Sequence, residues 1–197
     1  MLRFISFIFA IYTLGYSSLY AESLETRFRT MVDEVKAALD NEKKANNKAV
    51  EKIIQRYANM DAICTYVAAS YLRQETSGMD LAAKKVYIAN FLETFKPVYT
   101  AYLARTWTSE NNAKTFKDFT LVECTVKGKT VDMQFKDSTD KPSYIVLELD
   151  DKNLIRSIKF GERQNLVDPI SADRGSCESG VSQGKKPQDI FSGKKDS

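Results

Sequence analysis

The side chains that most often carry chemistry are sparse in this sequence. It contains no histidine, which removes the commonest general base, the usual activator of a nucleophile and the commonest zinc ligand. Cys64, Cys124 and Cys177 lie far apart with no C-x-x-C spacing, so neither a thioredoxin-like nor a structural zinc site is indicated. An odd number makes no complete disulfide framework; Cys64 and Cys124 could be plain buried thiols, and one bridge, of a pair the sequence does not choose, also fits an oxidising compartment. Lys127-Gly128-Lys129 is a hairpin turn, since the glycine-rich pattern of a phosphate loop is missing. Paired carboxylates such as Asp132 and Glu148 would suit a hydrolase. In a chain with 26 acidic side chains, a solvated strand face is the simpler account of them and of Asp150 and Asp151. The residue chemistry therefore reads as non-enzymatic, with no catalytic residue, metal ligand or cofactor assigned.

Charge narrows the classes further. The chain carries 29 basic and 26 acidic residues, a formal charge of +3, with no basic footprint for nucleic acid. A length of 197 residues, 43% hydrophobic and 28% charged, suits one globular domain.

What would position any site begins after a distinct N-terminal segment. Met1-Leu2-Arg3 is basic, Phe4 to Leu14 is almost wholly apolar, and Leu19-Tyr20-Ala21 precedes the charged Glu22. That order predicts a signal peptide over residues 1–21 and export to the periplasm; an uncleaved anchor is the alternative. From Glu22 to about Gln74 the pattern is helical, with Phe28, Met31, Val32, Val35 and Leu39 on one face and Val50, Ile53, Ile54 and Tyr57 on another. Asp40 to Asn47 reads as a polar break, and Asp61 as the N-cap of a restart. Asp80 to Trp107 is the longest helix, with an apolar stripe from Leu81 through Ile88, Phe91, Phe95, Tyr99 and Tyr102. Pro97 inside it predicts a kink.

Beyond Thr108 the period becomes alternating. Strands are predicted over 116–126, 129–136, 143–150 and 154–160, separated by turn sequences. The fold class expected is α+β: N-terminal helices packed against a curved four-stranded antiparallel meander. Residues 22–172 form the single domain in this reading. Residues 173–197, rich in Gly, Ser and Lys, are expected to be a disordered tail.

The aromatic content of the helices has two explanations. Tyr66, Tyr71, Tyr87, Phe91, Phe95, Tyr99, Tyr102 and Trp107 could fill an ordinary core under the sheet. Equally, they could wall an apolar ligand cavity, a role that suits tyrosine because its ring is apolar and its hydroxyl meets water.

The order of these features resembles a known family. It combines the stretch Ile53-Ile54-Gln55-Arg56-Tyr57-Ala58-Asn59-Met60-Asp61-Ala62-Ile63-Cys64-Thr65-Tyr66-Val67, the turn Thr76-Ser77-Gly78-Met79-Asp80, the long helix through Tyr87 to Phe95 and Tyr99 to Leu103, and then a meander. This pattern, over roughly 31–167, is similar to the MlaC or toluene-tolerance family of periplasmic phospholipid-binding proteins. The resemblance implies an NTF2-like shape and a carrier that shuttles phospholipid between the outer and inner membranes. Its implied partners are an inner-membrane ABC transporter complex and an outer-membrane lipoprotein complex. It also implies that acyl chains lie between helices and sheet. The matching positions are Tyr66, Val67, Tyr71, Phe91, Phe95, Tyr99 and Tyr102 on helices, with Val122, Met133, Phe135 and Leu147 on strands. The chain departs from the family where Val67-Ala68-Ala69-Ser70-Tyr71 lacks the usual glycine, and in its polar C-terminus. A non-enzymatic NTF2-like interaction module of an envelope assembly, with a filled core and no ligand, fits the same element order.

Overall fold

The computed structural model describes residues 23–39 and 47–193. The expected signal peptide, most of the break at 40–47 and the last four residues lie outside the described residues.

The first helices form as their apolar spacing predicts. Helix α1 (Leu24–Leu39) buries Phe28, Met31, Val32, Val35 and Leu39. Helix α2 (Asn47–Tyr57) buries Val50, Ile53, Ile54 and Tyr57. Helix α3 (Met60–Val67) starts two residues earlier than expected, because Asn59 and not Asp61 is the N-cap. The Asn59 carbonyl accepts from the backbone N–H of Ala62 at 3.0 Å, while its amide donates to Asp150 at 2.6 Å. One side chain thus satisfies an orphan helix donor and ties the helix to the sheet. Asp61 sits in the first turn, where its carboxylate favours the positive helix end, and pairs with Lys96 at 2.6 Å. A short helix α4 (Ala69–Glu75) follows, offset from α3 at the fully buried Ala68.

Helix α5 (Leu81–Trp107) is 27 residues long and begins at Asp80, whose carboxylate accepts from Ala83 N–H at 2.8 Å. It runs as one element through Pro97. Its buried face is Phe91, Phe95, Tyr99, Thr100 and Ala104; Leu81, placed on the apolar stripe by its spacing, is instead 71% exposed. Helices α2 and α3 pack against α5.

The stretch after Thr108 corrects the sequence reading. Glu110–Asp118 is a further helix, α6, and not the start of a strand. Ala113 and Phe116, three apart, face the core together, a helical spacing that the alternation further on had masked.

The sheet has five strands in the order β1 (Thr120–Lys127), β2 (Thr130–Lys136), β3 (Pro142–Leu149), β4 (Ile155–Glu162) and β5 (Asn165–Val167). Every neighbouring pair is antiparallel, so the expected meander gains a fifth strand. Along β2, buried Val131, Met133 and Phe135 alternate with partly exposed residues, as a sheet with one face on helices requires. Val131 pairs with Leu147 and Met133 with Ile145 across β3, which carries the inner face onward. The short β5 was missed because it is only three residues long. It returns against β4 through Gly161, whose φ of +136° and contact with Asn165, 2.6 Å from any added Cβ to the carbonyl oxygen, admit only glycine.

The expected disordered tail is folded over most of its length. Helix α7 (Pro169–Ser182) has Asp168 as its N-cap, accepting from Ser171 N–H at 3.0 Å, and Pro169 in its first turn. Ile170, Cys177 and Val181 are buried on one side. The helix stops at Gly184, φ +80°, with Gly184 N–H to Val181 O and Lys185 N–H to Gly180 O closing a Schellman motif. Helix α8 (Pro187–Phe191) then packs back on α5 and α7, burying Pro187 and Phe191. A composition poor in apolar residues suggested disorder, yet a few at helical spacing suffice when a ready-made surface receives them.

Candidate functional site

The residues singled out for ligand binding fall into separate environments. On α5, Phe91, Phe95, Tyr99 and Tyr102 form a ladder with ring centroids 5.1, 5.6 and 5.7 Å apart. Tyr71 extends it, 5.5 Å from Phe91. This ladder is closed over by the C-terminal helices. Phe191 lies 5.9, 5.0 and 4.9 Å from Phe95, Tyr99 and Tyr102. The Tyr99 and Tyr102 hydroxyls donate to the two oxygens of Asp173 at 2.7 and 3.0 Å. Burial pushes the Asp173 carboxyl above its ordinary range, and the two hydroxyl donors pull it partly back. The same burial and the nearby carboxylate raise both tyrosines.

The other named positions divide three ways. Val67, Met133 and Leu147 are fully buried in the core. Tyr66 is 41% exposed, with Arg174 stacked 4.8 Å from its ring centre and its hydroxyl 3.0 Å from Ser171. Val122 is 48% exposed. It is the extra residue of a β-bulge: Leu121 pairs with Phe135 and Glu123 with Gln134, which leaves Val122 without a partner. The bulge breaks the two-residue alternation, so Leu121 and Cys124 point inward and Val122 does not.

Phe135 alone among the named residues borders the apolar cavity of about 320 Å³ that lies between helices and sheet. Val35 and Leu39 from α1 line it, with Trp107 from the end of α5, Thr115 and Phe116 from α6, and Phe119 just beyond. The sheet supplies Phe135, Ser143, Ile145 and Phe160 with the backbone near Tyr144 and Gly161. Phe116 and Phe119 meet Phe135 at centroid distances of 6.2 and 6.4 Å. None of the lining side chains among the described residues is charged. Phe160 is 45% exposed, so this wall reaches solvent. Two other concavities flank the start of α3 and share Asn59, Asp61 and Leu154; ionic side chains such as Glu93, Lys96 and Lys152 line them. An apolar wall with few polar atoms is the usual make-up of a small-molecule site, which singles out the cavity beside Trp107.

That cavity as a whole is not legible in the sequence pattern because its wall is assembled from distant elements, and because Phe116, expected at the start of a strand, lies on α6. The signal was present in Trp107, Phe116 and Phe119, an aromatic group spanning the junction from helix to sheet.

The acids considered for a hydrolase are each held in ion pairs on the outer face of the sheet. Asp132 pairs with Arg163 at 3.6 Å. Glu148 pairs with Lys159 at 3.1 Å and Arg156 at 3.7 Å. Cys64, Cys124 and Cys177 are each buried and free. No group of His, Cys, Asp and Glu that could hold a metal ion occurs among the described residues. No described helix is long and apolar enough to cross a membrane.

The fold and site together define an α+β protein with an uncharged apolar cavity between its helical layer and its sheet. No protein-family model and no curated protein matches the chain.

Proposed function

We propose that this protein is a periplasmic lipid carrier of the MlaC type, built on an NTF2-like plan and acting by binding without covalent chemistry. The observation that carries the reading is the apolar cavity beside Trp107, Phe116 and Phe160, walled by helices on one side and the sheet on the other. Each methylene moved there from water contributes about 0.8 kcal/mol. A lipid arriving from a bilayer gains far less, so transfer relies on partners that present and receive it. In this reading those partners are an outer-membrane lipoprotein complex and an inner-membrane ABC transporter complex, with phospholipid as cargo.

The test is native mass spectrometry of protein purified from a bacterial host, with lipid extraction in parallel. A co-purifying lipid near one per chain supports the carrier. An unliganded mass that persists after incubation with liposomes removes it.

A second reading has its own observation. The aromatic ladder from Tyr71 to Tyr102 is filled by Phe191 and leaves no room for a ligand. That favours an NTF2-like interaction module if the cavity proves empty of lipid.

A further inference from the structure

Resting on the lipid-binding reading, the geometry points to a narrower ligand: we propose that the cavity takes a single apolar chain, so that the cargo is a monoacyl amphiphile and not an intact diacyl phospholipid. Three observations carry this. The first is size. At about 30 Å³ for each water-sized group, 320 Å³ accommodates about ten such groups, the bulk of one medium-length chain. The aromatic ladder expected to wall a second chain is packed by Phe191 and contributes no residue to the cavity lining.

The second observation is polarity. With no charged side chain among the described residues of the wall, a carboxylate or phosphate buried against them would be unpaired, which is strongly unfavourable. The headgroup therefore stays at the mouth and only the chain enters. The third is the exit. Phe160, nearly half exposed, both borders the cavity and meets solvent. An amphiphile thus finds apolar wall inward and solvent outward.

Trp107 is the sole tryptophan in the chain and lies on the cavity wall, so its fluorescence reports occupancy directly. The experiment titrates the purified protein with dodecanoic acid brominated near its methyl end, and separately with vesicles of phosphatidylcholine carrying brominated acyl chains. Saturable quenching by the monoacyl probe at one per chain is expected, with diacyl lipid at least about tenfold weaker. Ser143→Phe, which fills the cavity from β3, should abolish the quenching while leaving the circular dichroism unchanged; Ile145→Phe serves if the first variant does not fold. Equal quenching by the vesicle lipid, with an intact diacyl lipid bound one per chain by native mass spectrometry, overturns the single-chain proposal and leaves the carrier standing. Quenching by neither probe overturns both. Quenching retained in both folded filling variants places the ligand elsewhere and overturns the proposed site.

Discussion

Phe191 meets Tyr99 edge-on, with ring centroids 5.0 Å apart and the planes at 80°. This contact joins the last described helix to the longest one. It is the point where the C-terminal segment enters the core, since both rings are almost fully buried. Truncating Phe191 to alanine should cost about 3 kcal/mol. Urea denaturation followed by circular dichroism measures it; a loss below about 1 kcal/mol would mean that α8 adds little to the folded state.

The carboxylate of Asp173 gives the same region a pH response. Its folded value is raised above 3.8, chiefly by burial, so the folded state holds its proton more tightly than the unfolded chain. Stability from this group is therefore full below the ordinary value and is lost as pH rises through the raised one. Amide protection factors in α7 should increase on mild acidification, and Asp173→Asn should flatten that dependence. Asp150 has the opposite sign: hydrogen bonding from Leu154 N–H, before the contributions of Asn59 and Lys152, lowers it. Its contribution is present above 3.8 and disappears as pH falls through the lowered value. Reading the α7 amides separates the two.

Cys64 should be inert to alkylation. Burial, with Asp61 adding and Lys96 opposing, pushes its thiol up to about 12, and burial raises Cys177 to about 11. Because the thiolate is the nucleophile, iodoacetamide at neutral pH should label both at least about a hundredfold more slowly than a free thiol. Mass mapping before and after unfolding checks this, and rapid labelling of the native protein would contradict the packing described.

Gly161 admits no side chain without moving the β4–β5 turn. Gly161→Ala combines a positive φ with a contact against a backbone oxygen and should destabilise by about 1–3 kcal/mol. Thermal unfolding measures the loss, and exchange at Leu166 and Val167 locates it.

Where a single periodicity ran for several turns, the sequence was readable. The stripe from Phe28 to Leu39, the alternation of Val131, Met133 and Phe135, and the start of α5 at Asp80 all follow from local spacing and capping. The failures share a cause: information from outside the local window decided them. Val122 turned outward because of one bulged residue on β1. The C-terminal residues became helices because α3, α4 and α5 present a surface for Ile170, Cys177 and Phe191 to occupy. The aromatic residues of α5 were legible as an apolar face, but whether a face borders a void or a neighbour depends on what packs over it. Here Phe191 and Asp173 pack over it, and the open space lies instead beside Trp107.

The bulge at Val122 has one more consequence. β1 is an outer strand of the sheet, and an outer strand with a regular ladder of free amides is a template on which another chain can align. The extra residue dislocates that ladder near the start of the strand and increases its twist, while charged Glu123 follows immediately on the exposed side. At the opposite margin β5 is only three residues long. Both margins are thus poor templates for strand addition, which guards the sheet against fibrillar self-association.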